Sequence, residues 1–184
     1  MGNRSIWQGE NVRLRGIEPR DYETMFQWRS DSDAYGKVDY LSLPRSFESF
    51  KQAMDEAVSK GPDGDNYAFA IENREGELVG EAGTFGCNRR MGTFKYGVFI
   101  AREHWGKGYG KEAVRLLLRF YFMELGYQKV TIHIVSFNER SIKFHERLGF
   151  QMEGRLRRMS YVNGHYYDEI YLGMTREEFL EKLG

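Results

Sequence analysis

The sequence predicts a mixed α/β (α+β) fold with a largely antiparallel central sheet flanked by helices. Three observations carry that expectation. Residues 67–100 alternate apolar and polar side chains in three runs separated by turn residues, the pattern of an antiparallel meander. Residues 109–126 and 138–149 each read as a helix that follows a strand-like run and ends at a glycine. Near the end, Asn163-Gly164 separates two strand-like runs, a strong hairpin signal.

The elements follow in order. Val12 and Leu14 alternate with polar neighbours between Asn11 and Gly16, which predicts a short first strand. Glu18-Pro19-Arg20-Asp21 is a helix start, with proline early and acids in the first turn. Tyr22, Met25, Phe26 and Trp28-Arg29 continue that helix, and Asp31-Ser32-Asp33 is expected to end it. Ser46 is the expected N-cap of a second helix through Phe47, Phe50, Met54 and Val58, stopped at Gly61-Pro62. Tyr67, Phe69 and Ile71 begin the meander. Leu78 to Phe85 is its second strand and Phe94 to Ile100 its third, in which Gly97 marks a bulge or a close backbone approach.

A long helix then opens at Gly108 or Tyr109. Its stripe is Ala113, Leu117, Leu118, Tyr121 and Leu125, and Gly126 is its stop. Val130, Ile132 and Ile134 alternate in a further strand. Asn138 to Leu148 is a helix ending at Gly149. The terminal hairpin pairs Phe150–Val162 with His165–Met174, and Thr175 caps a short last helix. No repeat or linker interrupts the chain, so residues 1–184 are expected to form one domain.

Composition narrows the function. The 41 % of hydrophobic residues is enough for a core. Lysine plus arginine and aspartate plus glutamate both number 27, and no basic block stands out. Neither a nucleic-acid binder nor an anionic-membrane binder is therefore expected. The opening residues carry no apolar run or cleavage-site pattern, so a secretory signal is not expected there. No stretch approaches the roughly 20 apolar residues of a membrane span. Cys87 is the single cysteine, which excludes a disulfide within the chain and fits a cytoplasmic location. His104, His133 and His165 lack ligand spacing, so no metal is expected.

The segment that carries chemistry is Ile100 to Lys111. A strand ends, Trp105-Gly106-Lys107-Gly108-Tyr109-Gly110-Lys111 follows, and a helix begins. The first turn of a helix has backbone N–H groups without internal partners, and its dipole adds positive potential. Glycines let a ligand approach that backbone, an arrangement suited to a phosphate or pyrophosphate. A nucleotide P-loop requires Ser or Thr after Gly-Lys, whereas Glu112 follows Gly110-Lys111. A dinucleotide fingerprint requires a different glycine spacing after a strand of a βαβ unit. A plain flexible turn is the structural alternative.

One strand and one helix later comes Asn138-Glu-Arg-Ser141-Ile-Lys-Phe-His145-Glu-Arg-Leu-Gly149-Phe150. With the glycine loop at that distance, the chain resembles the GCN5-related N-acetyltransferase superfamily. Within it the chain is similar to the branch of ribosomal-protein alanine and spermidine acetyltransferases. Val12-Arg-Leu-Arg15, Trp28, Gly154-Arg-Leu-Arg, Asn163-Gly164 and Tyr167-Asp168 extend the likeness over nearly the whole sequence. Two positions depart from the pattern: Trp105 stands where the loop motif has Arg or Gln, and His145 where a thiol-protonating tyrosine is usual.

The resemblance implies an acetyl-CoA-dependent N-acetyltransferase in which an amine attacks the thioester directly in a ternary complex. The pyrophosphate would lie on the N–H groups of Lys107, Gly108, Tyr109, Gly110 and Lys111, beside Trp105 and Gly106. The pantetheine arm would run along Val98, Phe99 and Ile100 like an added strand, and an N–H near Ile100 would polarise the thioester oxygen. Asn138 would bond the pantetheine amide or cap its own helix. Glu81 is the leading general base, its alternative being a solvated outer-face carboxylate. His145 is the candidate acid for the thiolate, its alternative a partly buried helix residue. Tyr96, Tyr161 and Tyr171 are further phenols. Of Asp168 and Glu169, adjacent on one strand, at most one faces a cleft.

The acceptor would be a protein N-terminus or a small amine such as a polyamine. Asp31, Asp33, Asp39 and Asp168 are the acids that could receive a polycation. A homodimer is compatible with this reading. The competing functions are a catalytically inactive acetyl-CoA sensor or partner subunit of the same fold, and a nucleotide-binding regulatory module.

Overall fold

A computed structural model describes residues 5–30 and 43–183. In chain order it contains β1 (Val12–Arg15), α1 (Tyr22–Ser30), α2 (Phe47–Lys60), β2 (Ala68–Asn73), β3 (Leu78–Asn88) and β4 (Thr93–Ile100). Then come α3 (Tyr109–Arg119), β5 (Lys129–Val135), α4 (Glu139–Leu148), β6 (Gln151–Val162), β7 (His165–Thr175) and α5 (Arg176–Lys182). This is the order of elements expected from the sequence. The end expected for α1 at Asp31-Ser32-Asp33 lies outside the described residues. Among the described residues, seven strands share one sheet in the order β1-β2-β3-β4-β5-β7-β6. The pairs β1–β2, β2–β3, β5–β7 and β6–β7 are antiparallel, whereas β4–β5 is parallel, as a strand–helix–strand crossover through α3 requires. No helix among the described residues is long and apolar enough to cross a membrane.

The chain divides into two compact units. One runs to Phe85 and takes in Gly97–Leu117; the other comprises Gly86–Tyr96 and Leu118 onward. In the first, Tyr22, Met25 and Trp28 of α1 form the stripe read from the sequence. They pack with Phe50 of α2 and with Phe99 and Ala101. Each buried side chain of the size of Phe50 contributes about 1.5–3 kcal/mol through apolar burial. Ser46 caps α2 by accepting from the Ser49 N–H at 3.2 Å. Gly80 has no room for a side chain, because a Cβ there would lie 2.2 Å from the Phe99 carbonyl oxygen. The close approach expected at Gly97 therefore falls at Gly80. Nothing lies within 4 Å of a Cβ built on Gly97.

In the second unit, Phe94 stacks on Tyr121 at 4.3 Å and meets Phe122 edge-on at 5.7 Å. Two consecutive residues reach the same ring because α3 stops at Arg119 and Phe120–Glu124 winds as a π-turn, with the Leu125 N–H on the Phe120 carbonyl. A single α-helix to Gly126 was expected, and the wider turn is a packing adjustment that hydrophobic spacing does not reveal. Asn163 and Gly164, both at positive φ, turn β6 into β7. Thr175 and Glu178 form a reciprocal capping box at the start of α5.

Candidate active site

The glycine loop lies in the first unit. Where β4 ends, the Ala101 N–H bonds the Val79 carbonyl at 3.0 Å. A single 3-10 turn, Arg102–His104, follows and brings Trp105 back over the strand end. Its indole N–H donates to the Ile100 carbonyl at 2.7 Å, while its ring packs against the α1 core cluster. Trp105 thus ties the loop to the strand that precedes it. Gly106 and Gly108 both have left-handed backbones, at φ 80° and 84°, a conformation that costs other residues about 1–2 kcal/mol.

Space remains open around both glycines: nothing lies within 4 Å of a Cβ built on either. The first α-helical bond, from the Glu112 N–H to the Gly108 carbonyl, makes Gly108 the N-cap of α3. The N–H groups of Tyr109, Gly110 and Lys111 therefore have no carbonyl partner within the helix. Lys107 and Lys111 are exposed beside them. The Glu112 carboxylate accepts from the main-chain and side-chain N–H groups of Asn11, so it is held toward the start of β1. Backbone donors, a helix dipole and two lysines make this an anion site in chemical terms.

The same unit holds a cavity of about 760 Å³, walled in part by Gly97, Val98 and Phe99 of β4. Glu81, the base expected from the sequence, lines this cavity with its side chain only 16 % exposed. It is not a solvated outer-face carboxylate. Arg29 faces it with a guanidinium N–carboxylate O distance of 3.3 Å. Arg29 is itself oriented by the Met25 carbonyl at 2.9 Å and by the Phe50 ring, 4.9 Å from its guanidinium carbon. Sequence reasoning did not single out Arg29. Its signal was one basic residue on the apolar stripe of α1, and its partner lies 52 positions away.

The second unit holds the remaining candidates. Asn138 caps α4, its side-chain oxygen accepting from the Ser141 N–H at 3.1 Å. His145, one of the two roles offered for that position, is a buried helix residue. Its Nδ1 lies 2.8 Å from the Ser141 carbonyl, which can only accept, so Nδ1 carries the proton of the neutral ring. Burial pushes its pKa down to about 4, against a smaller upward effect of the Ser141 bond. Its Nε2 and the hydroxyl of Tyr96 are buried without a hydrogen-bond partner among the described residues, and the two rings lie 5.9 Å apart.

Asp168 accepts from Arg155 at 2.6 Å and from the Arg158 N–H at 2.9 Å, which holds the irregular stretch of β6. Glu169 accepts from the hydroxyls of Ser160 and Tyr171. The expected acids Asp31, Asp33 and Asp39 lie outside the described residues. Among the described residues no group of three or more His, Cys, Asp or Glu could hold a metal ion.

β4 thus walls the cavity that Glu81 of β3 also lines, and then leads into the glycine-rich loop at the N-terminus of α3. A family model described as the acetyltransferase (GNAT) domain matches residues 11–151, and the chain belongs to that family. It is an acetyltransferase of the GNAT type.

Among its relatives, the SPbeta prophage-derived uncharacterized N-acetyltransferase YokL of Bacillus subtilis is 41 % identical over 175 residues. That match covers 95 % of this chain and 96 % of the relative. The spermidine N(1)-acetyltransferase of Vibrio cholerae is 26 % identical over 137 residues, covering 74 % and 79 % of the two chains. A crystal structure of the Vibrio cholerae spermidine N-acetyltransferase in complex with CoA and spermine superimposes with a TM-score of 0.81 at 20 % identity. It covers 92 % of this chain and 98 % of that one. At that identity the superposition speaks for the fold.

Proposed function

We propose that the protein moves the acetyl group of acetyl-CoA to a primary amine by direct attack within a ternary complex. The observation that carries this reading is the continuity of β4 in the first unit: Gly97–Phe99 wall the cavity that holds Glu81, and the same strand leads into the open, left-handed Gly106 and Gly108. In this reading the pyrophosphate rests on the N–H groups of Lys107–Lys111, and the pantetheine arm follows Val98–Ile100. Trp105 positions the loop through its bond to Ile100. The amine nitrogen forms a bond to the acetyl carbon, the carbon–sulfur bond breaks, and Glu81 takes the amine proton directly or through a water. The Arg29 guanidinium, 3.3 Å from the Glu81 carboxylate, orients that side chain at the cavity wall.

We assign protonation of the departing thiolate to solvent, not to His145. That ring is neutral near pH 7 and its one proton is on the nitrogen that faces Ser141. Asn138 serves as the cap of α4 in the same reading. Its relatives include spermidine acetyltransferases, which makes a small amine the first acceptor to try and a protein N-terminus the second. The work is assigned to the cytoplasm, where the acetyl-CoA pool lies.

A thermal melt with acetyl-CoA, using ATP and NAD as controls, tests the donor site. At 100-fold excess over Kd, linkage gives about 2.7 kcal/mol of stabilisation, a rise of roughly 5–10 °C for a chain of this size. Gly108→Val should lose most of that rise, because its left-handed backbone disfavours a branched side chain. A rise equal to that of the parent protein would place the donor elsewhere. Turnover, followed as CoA thiol release with a panel of amines, tests the transfer itself, and Glu81→Gln should lower kcat at least about 100-fold if Glu81 is the base.

A further inference from the structure

A cradle of backbone N–H groups binds an anion best when the chain holds it in place beforehand, and glycines lose the most freedom on being ordered. The loop with left-handed Gly106 and Gly108 is fastened at both ends. At its start the Trp105 indole donates to the Ile100 carbonyl at 2.7 Å. Past its end the Glu112 carboxylate accepts three contacts from one residue, Asn11. The Asn11 main-chain N–H reaches both oxygens, at 2.9 and 3.1 Å, and its side-chain amide donates to the second at 3.1 Å. Asn11 is itself fixed on a tight reversal before β1, where the Gly9 N–H bonds the Val12 carbonyl and the Leu14 N–H the Trp7 carbonyl, each at 2.9 Å. Gly9 belongs to the same arrangement: a Cβ there would collide with Glu112 Oε1. The missing side chain at residue 9 is what lets the carboxylate reach Asn11.

Electrostatics alone would give Glu112 the opposite role. A carboxylate in the first turns of α3 complements the helix dipole but repels a pyrophosphate at the same helix end. Its removal should then tighten anion binding. We propose instead that Glu112 is a positioning residue for the acetyl donor: bonded to Asn11, it fixes the start of α3 and so holds the N–H groups of Lys107–Lys111 where the pyrophosphate needs them. This rests on the glycine loop's being the acetyl-CoA site.

Calorimetric titration of the full chain with acetyl-CoA tests this without an acceptor amine. Glu112→Ala should raise Kd about tenfold. Glu112→Gln discards the charge but keeps an oxygen for the Asn11 N–H, and its Kd should stay within about threefold of the parent value. Gly9→Ala keeps the charge but pushes the carboxylate off Asn11, and should raise Kd by more than about threefold. A parent-like or tighter Kd for Glu112→Ala overturns the proposal, as does equal weakening by Glu112→Gln and Glu112→Ala. Should Glu112→Ala fail to fold, Gly9→Ala decides, and a parent-like Kd there overturns it. Gly108→Val separates the two readings. If that variant binds acetyl-CoA with the parent Kd, the donor site lies elsewhere and this proposal falls with it. If it binds weakly while Glu112→Ala binds as the parent does, the loop keeps its donor role and Glu112 loses its own.

Discussion

Two regions of the molecule bury polar side chains, and they do so in opposite ways. Beside β1, Arg15 donates to Asp21 through both terminal nitrogens, at 2.7 and 2.8 Å, and to Glu72 through Nε. Arg13 adds a second bond to Glu72, and the Glu18 N–H a further one to Asp21. Both carboxylates are 3 % exposed, yet both stay ionised. Burial works to raise their pKa values, and the arginine bonds outweigh it, so each is lowered. In the second unit His145 and Tyr96 are as deeply buried but have no charged partner, and burial keeps them neutral: the imidazole pKa falls and the phenol pKa rises. A protein interior accepts charge where the geometry pairs it and otherwise removes it by changing the protonation state.

The largest effect should come from breaking the paired site. Arg15→Ala leaves two buried carboxylates short of their main counter-charge and should cost about 3–5 kcal/mol in urea unfolding. A loss below about 1 kcal/mol would mean that the carboxylates find water or Arg13 instead. Because Asp21 and Glu72 are lowered, their stabilisation is complete above the unfolded carboxylate values near 4 and is lost as pH falls through the folded ones. Arg15→Ala should flatten that acid limb.

The neutral site predicts a limb at higher pH. Unfolded histidine gains a proton near 6.5, whereas folded His145 resists protonation down to about 4. Stability should therefore fall as pH drops from 6.5 to about 4, by about 3 kcal/mol. His145→Phe should remove this slope while leaving the carboxylate limb in place. A slope that survives the substitution would assign it to another group.

Trp105 is the intermediate case, a neutral donor with one carbonyl partner. Trp105→Phe keeps most of the ring and loses the bond to Ile100, an expected loss of about 1 kcal/mol. Its more telling effect would be weaker stabilisation by acetyl-CoA. If the acetyl-CoA shift is unchanged, the bond has no part in positioning the loop.

Much of this was legible before any coordinates. The element order, the caps at Ser46, Asn138 and Thr175, the Asn163-Gly164 turn and the glycine loop all rest on interactions within a few residues. A cap needs only a side chain and an N–H three positions on, and a left-handed turn needs only a glycine. Glu81 was legible as a candidate because a carboxylate in the central strand of a meander has two faces to choose between. Its placement against Arg29 was not, since that depends on how α1 lies on the sheet.

His145 shows the same boundary. By itself the sequence determined that an imidazole occupies the helix after β5, at the position where the family pattern has a tyrosine. Only the tertiary structure decided that this ring is neutral, because protonation depends on the water and charges removed around it by packing from distant segments. The π-turn after α3, which lets Tyr121 and Phe122 both meet the Phe94 ring, was likewise visible only in the tertiary structure. Local geometry is encoded in nearest neighbours along the chain; burial, charge state and cavity shape belong to neighbours in space.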